Sequence, residues 1–217
     1  YLSDLEQFVT TIVLPHSQNI DLCLGHSMGA HLLLRYLLHK ADTFRACVLL
    51  APMTAIHFRQ VPEEIVFRVL ENLCKTGGNE AYVPGMGDLK RSDCRFEGNR
   101  LTSHRRRYEQ ACAWMFEKPA LALGGPTNGW MLEAIKSMRL SRKRTKLNQI
   151  STPILLVSAR DDTVVDPNSH LHIAQHLPNC ELLRLYGAKH EILHEIDSIR
   201  TCFWRAFDRF TETHLEL

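Results

Sequence analysis

The sequence predicts an α/β fold in which a mostly parallel sheet is flanked by helices. Short apolar runs alternate with helical patterns along most of the chain, and each run ends in a turn or loop signal. A long stretch between the second and third runs carries helical patterns instead of strands. Alternation of this kind is typical of parallel strands joined by crossover helices, so we expect one sheet with a helical insertion.

The part of the chain before the insertion predicts two strands and the helix that follows the first of them. A helix-like segment, residues 2–14, comes first. The run NIDLCL, residues 19–24, leads through a glycine-rich turn into a helix over residues 28–40. The run ACVLLA, residues 46–51, stops at Pro52. Proline cannot donate to a sheet ladder, so it marks the end of this strand.

Residues 54–150 interrupt the alternation. They carry three helical patterns, over residues 63–75, 104–117 and 130–140, and no convincing strand. Segments rich in glycine and proline, such as YVPGMGDL and GGPT, separate these patterns as loops. We therefore expect a helical insertion here.

Two more strands follow the insertion. The run PILLVSA, residues 153–159, ends in an acidic loop. The run ELLRL, residues 181–185, leads through Tyr186 and Gly187 into a C-terminal helix over residues 191–211. The predicted division of the chain is a first core part (1–53), the insertion (54–150) and a second core part (151–217).

Composition and charge indicate an ordinary globular chain. The 217 residues are 45% hydrophobic and 23% charged, which excludes a disordered protein, and the net charge of +2 gives no support for nucleic-acid binding. Seven cysteines without paired spacing are expected to be reduced thiols, as in cytosolic proteins.

No apolar run approaches the roughly 20 residues that span a bilayer, and no signal peptide follows Tyr1. We expect a cytoplasmic protein whose membrane contact, if any, is peripheral on the inner membrane.

The strongest motif is GHSMG, residues 25–29, which places Ser27 between a predicted strand and a predicted helix. Such a sharp turn presents a serine hydroxyl at the carboxyl end of a sheet. Gly25 and Gly29 are expected there because side chains would clash with the strand and the helix. The backbone N–H of Met28 is a candidate donor to an oxyanion. The alternative, an ordinary glycine-rich turn, is disfavoured by the flanking strand and helix.

Candidates for an orienting carboxylate and a base follow in the order Ser, Asp, His. Asp161, Asp162 and Asp166 come directly after the third run, and periodicity does not choose among them. His190 follows the fourth run, so it reaches the same edge of the sheet. There its imidazole would take the proton of Ser27 while an aspartate fixes its tautomer. We predict nucleophilic catalysis by a serine, without a metal or an organic cofactor.

A zinc site is the rival interpretation of the same histidine. The segment HEILH, from His190 to His194, fits HExxH, in which two histidines one helical turn apart hold zinc. The chain lacks the downstream glycine and histidine of the extended motif, and a loop suits His190 better than the middle of a helix. His170, His172 and His176 are more simply explained as a half-exposed helix face.

Basic and aromatic clusters in the insertion each have two interpretations. Residues 105–107 and 142–146 are rich in arginine and lysine. These side chains either bind anionic lipid or lie on faces exposed to solvent, and exposure to solvent is the simpler explanation. Five large apolar side chains suit either an acyl-chain pocket or the insertion's own small core. They are Trp114, Met115, Phe116, Trp130 and Met131.

Five segments, spread over nearly the whole chain, carry a family resemblance. They are GHSMGAHLLLRYL, FEGNRLTSHRRRYE, GGPTNGW, ARDDTVVD and GAKHEILHE. Together they resemble the lysophospholipase and monoacylglycerol lipase branch of the α/β-hydrolases, and within it the bacterial lysophospholipases associated with the inner membrane. GxSxG is generic to that superfamily, whereas the NRLT, GGPTNGW and GAKHEIL segments are much more specific.

The resemblance implies the C-terminal part of an α/β-hydrolase fold, with the insertion as a helical cap over an acyl pocket. Carried over to the matching positions, it implies Ser27 as nucleophile, His190 as base and Asp162 as acid, with Asp161 as the alternative acid.

One departure from the family concerns the start of the sheet. In the fold that this chain resembles, the nucleophile follows the fifth of eight strands, whereas only residues 2–14 precede the first strand here. About the first half of the sheet is therefore expected to be missing, together with the loop that supplies a second oxyanion amide. Losing one such donor typically costs ~10²- to 10³-fold in rate. We expect the chain to be a fragment of a longer protein or a gene remnant.

The activity that we expect is hydrolysis of a carboxylic ester of a single-chain lipid through an acyl-enzyme. The expected substrate is a lysophospholipid or a monoacylglycerol, with Trp130 and His26 as candidate substrate contacts. The expected partners include an anionic membrane surface but no nucleic acid. Two alternatives stay open: a peptidase or other esterase with the same three residues, and a truncated chain without activity.

Overall fold

The computed structural model of the protein describes residues 1–17, 19–58 and 61–215. At the centre of these residues lies a parallel sheet of four strands, β1 (Ile20–His26), β2 (Phe44–Leu50), β3 (Ile154–Ala159) and β4 (Cys180–Leu185). The strands lie side by side in chain order, with Gly25 opposite Leu49 and Val157 opposite Leu183. The predicted parallel sheet is confirmed. Because parallel strands all end at one edge, the segments after them meet there.

Helices flank the sheet and fill the insertion. They are α1 (Leu2–Phe8, continued by a π-helical turn over Val9–Val13), α2 (Met28–Leu37), α3 (Glu63–Lys75), α4 (Arg105–Glu117), α5 (Asn128–Ser141), α6 (Arg144–Leu147), α7 (Pro167–His176) and α8 (Asp197–Leu215). Short 3-10 turns occur at Arg91–Asp93, Pro119–Leu121 and Ile192–His194. Between β2 and β3 the described residues form helices, turns and isolated bridges but no strand, as predicted. The division of the chain into three parts stays a prediction.

The sheet separates two hydrophobic cores because neighbouring residues of a strand point to opposite faces. On β2, Cys47 and Leu49 face the core shared with α2 and α7, whereas Val48 and Leu50 face the core shared with α5 and α8. Strand β3 is buried at every position. Burial on both faces accounts for the continuous apolar runs of the sequence, since a half-exposed strand would alternate.

The C-terminal helix begins later than predicted. The pattern predicted a helix from Glu191, but α8 begins at Asp197, and Ile192–His194 form a single 3-10 turn. The backbone before α8 is bonded elsewhere. The Glu191 N–H donates to the Leu101 carbonyl (2.7 Å), and the Glu195 carboxylate accepts from three backbone N–H groups. The Ile196 N–H, which a helix from Glu191 would bond to the Ile192 carbonyl, donates to the Glu195 side chain instead, so the prediction was wrong at this end of the helix.

One of the three histidines on α7 is wholly buried, which the sequence did not predict. His172 is exposed, as expected of a half-exposed helix face, but His170 has no exposed surface. The His170 Nε2–H donates to the Pro52 carbonyl (2.8 Å), and Nδ1 accepts from the Ser158 hydroxyl (2.9 Å). Burial lowers the pKa of His170 to about 4, so the ring stays neutral near pH 7 and makes both bonds. His170 therefore ties α7 to β3 and to the segment after β2.

Candidate active site

Ser27 lies on a sharp bend between β1 and α2. Its φ of 53° is uncommon for a residue with a side chain. Hydrogen bonds on both sides hold the bend. The Ser27 N–H donates to the Leu50 carbonyl (2.9 Å), and the Ser27 carbonyl accepts from the N–H groups of His31 (3.0 Å) and Met53 (3.0 Å). The bend is thus anchored to its own helix and to the segment after β2.

The two glycines of the motif differ in their surroundings. A Cβ at Gly25 would lie 2.7 Å from the Ala30 nitrogen and 2.8 Å from Leu33 Cδ1, so the predicted clash is confirmed at this position. A Cβ at Gly29 would meet nothing within 4 Å, so the same prediction was wrong for Gly29. The difference arises because Gly25 faces the first turns of α2, whereas the space beside Gly29 is open.

Substitutions at the two glycines are expected to act in opposite directions. Gly25→Ala should lower the free energy of unfolding by about 1 to 3 kcal/mol, because the added methyl group meets backbone atoms that cannot move aside easily. Gly29→Ala should leave stability unchanged or raise it by up to ~1 kcal/mol, since alanine favours a helix over glycine. Urea denaturation of both variants checks this pair. Equal losses in the two variants would contradict the asymmetry of the bend.

The structure brings together the three residues that the resemblance implied. The His190 Nε2 lies 2.9 Å from the Ser27 hydroxyl oxygen, and the His190 Nδ1 lies 2.7 Å from Asp162 Oδ2. The side chains of His190 and Asp162 are almost fully buried. Because a carboxylate only accepts, Nδ1 carries the proton and donates to Asp162, which leaves the Nε2 lone pair for the Ser27 O–H. The arrangement allows a proton to move from the serine to the imidazole.

Asp162 differs from the other two candidate carboxylates by its hydrogen bonds. Its second oxygen, Oδ1, accepts from the N–H groups of Val164 (2.7 Å) and Val165 (3.1 Å). Asp161 is exposed to solvent, and Asp166 accepts from a backbone N–H at the start of α7. Of the three aspartates, only Asp162 contacts His190. The periodicity of the sequence did not distinguish between them.

His26 packs against the candidate base. Its Nε2–H donates to the His190 carbonyl (3.0 Å), and the centres of the two rings are 4.8 Å apart. Burial lowers the pKa of His26, which favours the neutral ring. His26 therefore holds the backbone of the segment that carries His190. Its predicted contact with substrate stays a prediction.

A cavity of about 410 Å³ adjoins Met28, the first residue of α2. Backbone N–H groups in the first turn of a helix lack intrahelical partners, so the Met28 N–H is suited to an oxyanion. Met53 and Trp130 form part of the apolar wall of the cavity. Met131, by contrast, belongs to the core that the sheet shares with α5 and α8, and Trp114 is exposed. Of the five large apolar side chains, Trp130 therefore fits the pocket interpretation, Met131 fits the core interpretation, and Trp114 fits neither.

A polar wall of this cavity was not predicted from the sequence. The hydroxyl of Ser137 lies 2.7 Å from His31 Nε2 and accepts from the Arg35 guanidinium (2.6 Å). Burial, assisted by the positive charge of Arg35, lowers the pKa of His31 to about 4. No motif marks these residues, because Ser137 lies about 100 positions from the helix that it contacts.

The geometry does not support the zinc interpretation. His190 is on a loop, where its Nδ1 is bonded to Asp162, and His194 ends a 3-10 turn rather than lying one α-helical turn away. Within residues 1–17, 19–58 and 61–215, no group of three or more histidine, cysteine or acidic side chains is arranged to hold a metal ion.

Several basic side chains of the insertion are neutralised within the chain. The ion pairs join Arg105 to Glu97 and Glu109, Arg107 to Asp197, and Arg142 to Glu63. These pairs favour a structural role for the three arginines over a role in lipid binding. In the part of the chain that the structure describes, no helix is both long and apolar enough to cross a membrane.

Comparisons with known proteins agree with this architecture. The chain is 26% identical to the probable lysophospholipase L2 of Haemophilus influenzae, covering 97% of this chain and 65% of that protein. It is 28% identical to lysophospholipase L2 of Escherichia coli K12, covering 99% of this chain and 64% of that protein. The chain therefore spans about two thirds of the length of these two curated relatives.

A solved structure and a family model extend the comparison. A soluble variant of monoglyceride lipase from Saccharomyces cerevisiae, solved in complex with a substrate analog, has a TM-score of 0.71 at 19% identity. The alignment covers 98% of this chain and 69% of that one, and it shows the α/β-hydrolase fold. The model of the family described as serine aminopeptidase S33 matches residues 1–197. The chain belongs to this family of α/β-hydrolases.

Proposed function

We propose that the protein is a serine hydrolase that cleaves a carboxylic ester through an acyl-enzyme. Ser27 is the nucleophile, His190 the general base and acid, and Asp162 the residue that orients His190. The observation that carries this proposal is the continuous chain of hydrogen bonds from the Ser27 hydroxyl through His190 to Asp162, with distances of 2.9 and 2.7 Å. Such a chain at the carboxyl edge of a sheet is the arrangement that activates a serine.

The first half of the proposed reaction forms the acyl-enzyme. As the Ser27 oxygen attacks the ester carbonyl, its proton passes to the His190 Nε2, and the Asp162 carboxylate stabilises the imidazolium. The Met28 N–H donates to the oxyanion of the tetrahedral intermediate. The intermediate collapses when His190 returns the proton to the alcohol oxygen, which leaves as the first product.

The second half releases the fatty acid. Water attacks the acyl-enzyme while the His190 Nε2 takes one of its protons, and a second oxyanion forms at the Met28 N–H. His190 then protonates the Ser27 oxygen as the ester bond to the enzyme breaks. Serine and imidazole return to their starting states, so the reaction consumes one water and needs no cofactor.

We propose a lysophospholipid as the substrate, with monoacylglycerol as the second candidate. The cavity beside Met28 has apolar walls from Met53 and Trp130, which suit a single acyl chain. Arg35 on the polar wall of the same cavity suits an anionic head group. Two relatives are named lysophospholipases, and a structural neighbour is named a monoglyceride lipase. We place the reaction in the cytoplasm, at the surface of the membrane that holds such lipids.

Covalent labelling with a fluorophosphonate tests the nucleophile. The reagent should label wild-type protein at Ser27, located by mass spectrometry of peptides, and should leave Ser27→Ala unlabelled. Ser198→Ala is the matched control, because Ser198 is an exposed serine on α8 and does not line the cavity beside Met28. Labelling at another residue, or hydrolysis undiminished in Ser27→Ala, would contradict the mechanism.

A substrate panel tests the proposed class of ester. Lysophosphatidylcholine, presented in vesicles, should give a higher kcat/KM than monoacylglycerol, and an aminoacyl anilide should not be cleaved. The anilide belongs in the panel because the family is described as a serine aminopeptidase. Cleavage of the anilide in preference to both lipids would favour a peptidase with the same three residues.

A further inference from the structure

We propose that residues 99–103 of the insertion, which we name the clamp, position the His190 imidazole, and that Thr102 and Glu195 are positioning residues. This inference rests on the proposed function, since His190 is the proposed base. The loop that carries His190, residues 186–196, is named the base loop. It lies after β4 and before α8, so few of its backbone groups are held by regular structure.

The clamp makes hydrogen bonds along the base loop. The Glu191 N–H donates to the Leu101 carbonyl (2.7 Å), and the Thr102 hydroxyl donates to the His194 carbonyl (2.8 Å). At the other end of the base loop, Lys189 Nζ donates to the carbonyl of Asn99 (3.0 Å). The bonds therefore lie on both sides of His190.

Glu195 joins the clamp to the residue before His190. Its side chain is fully buried, and Oε1 accepts both from the Ser103 N–H (3.1 Å) and from the Lys189 N–H (2.9 Å). The other oxygen accepts from the Ile196 N–H (3.0 Å). A buried carboxylate is costly unless it is fully hydrogen-bonded, and three backbone donors meet that need. The backbone N–H groups of both neighbours of His190, Lys189 and Glu191, are thus held by hydrogen bonds, one to the Glu195 side chain and one to the Leu101 carbonyl.

The clamp is itself held rigid. The Asn99 Oδ1 accepts from the N–H groups of Leu101 (3.0 Å) and Thr102 (3.0 Å). The Thr102 hydroxyl accepts from the His104 N–H (3.0 Å) while it donates to His194. Thr102 is only 1% exposed, so water cannot readily replace either bond. One buried hydroxyl therefore connects the start of α4 to the base loop.

The clamp also reaches the loop that carries the acid. Arg100 Nε donates to the hydroxyl of Thr163 (3.0 Å), the residue after Asp162. The NRLT segment, which the sequence marked as specific without assigning it a role, thus bridges the loops of the proposed acid and base. The clamp does not line the cavity beside Met28. A defect in the clamp should therefore lower kcat and leave KM nearly unchanged.

Thr102→Val removes the hydroxyl and keeps the shape of the side chain. Because a misplacement of about 1 Å can cost ~10²-fold in rate, we expect kcat for ester hydrolysis to fall by about 10- to 100-fold. Thr102→Ser keeps the hydroxyl and should restore kcat to within about threefold of wild type. Thr211→Val is the matched control, because Thr211 is also buried but donates only to carbonyls of its own helix, α8.

A second measurement does not depend on activity. The Nδ1 proton of His190, in its bond to Asp162, should give a strongly deshielded signal in the proton NMR spectrum. Wild type, Thr102→Ser and Thr211→Val should keep this signal, and Thr102→Val should lose it or move it. If the signal behaves in this way but wild type hydrolyses no ester, the proposed function fails while the positioning role stands.

The opposite results would overturn the inference. They are a folded Thr102→Val with wild-type kcat and an unchanged Nδ1 signal, or a Thr102→Ser as impaired as Thr102→Val.

If Thr102→Val does not fold, Lys189→Met takes its place, since it removes only the bond from Nζ to Asn99. That variant should lower kcat severalfold and shift the same NMR signal, and wild-type values of both would reject the clamp.

Discussion

His190→Ala is expected to lower kcat for ester hydrolysis by about 10⁶-fold, with little change in KM. Without the imidazole, the Ser27 hydroxyl has no acceptor for its proton and the departing alcohol has no donor. Losses of this size are typical when one member of a serine, histidine and aspartate arrangement is removed. Initial rates with a soluble ester, measured at high enzyme concentration, check the prediction.

His194→Ala is the control for this loss. His194 belongs to the same segment, and its side chain is about half exposed and lies near Glu191 rather than Ser27. We expect kcat within a few fold of wild type for this variant, since only its backbone carbonyl contacts the clamp. A metal site built on HExxH would need both histidines, so equal losses in the two variants would contradict the serine mechanism.

The sequence predicted the elements of the site that depend on local pattern. Strand β1, the bend and α2 were predicted from an apolar run, a glycine-rich turn and a helical repeat that are adjacent in the chain. Ser27 and His190 could be predicted as candidate site residues because each comes soon after a strand, and the loops after parallel strands lie at one edge of the sheet. The family resemblance selected Asp162, which the local pattern could not.

The features that the sequence did not predict depend on contacts between distant segments. The start of α8 is delayed because the Ile196 N–H donates to the Glu195 carboxylate, which also accepts from Ser103, some 90 residues away. Ser137 contacts His31 across about 100 residues, and neither carries a motif. The general form of the turn predicted that a side chain at Gly29 would clash with its neighbours, but the space beside Gly29 in this chain is open. Each outcome is decided by tertiary packing, which local periodicity does not record.

Asp162→Asn is expected to lower kcat by about 10⁴-fold, because it forces the wrong tautomer on His190. Oδ1 of Asp162 accepts from two backbone N–H groups, so the single amide oxygen of asparagine must stay there. The amide NH₂ then faces the His190 Nδ1, which becomes an acceptor, and the proton moves to Nε2. A protonated Nε2 cannot take the proton of Ser27, although the geometry is almost unchanged.

Asp161→Asn separates this effect from a general loss of charge in the same loop. Asp161 is exposed, and its backbone N–H, which the substitution keeps, donates to the Ala188 carbonyl (2.9 Å). We expect the kcat of Asp161→Asn to stay within a few fold of wild type. The rate of fluorophosphonate labelling is measured for both variants and should fall only in Asp162→Asn. If Asp161→Asn were the more damaging of the two, the orienting role would pass to Asp161. The tautomer argument, which depends on the two backbone donors to Asp162, would then be wrong.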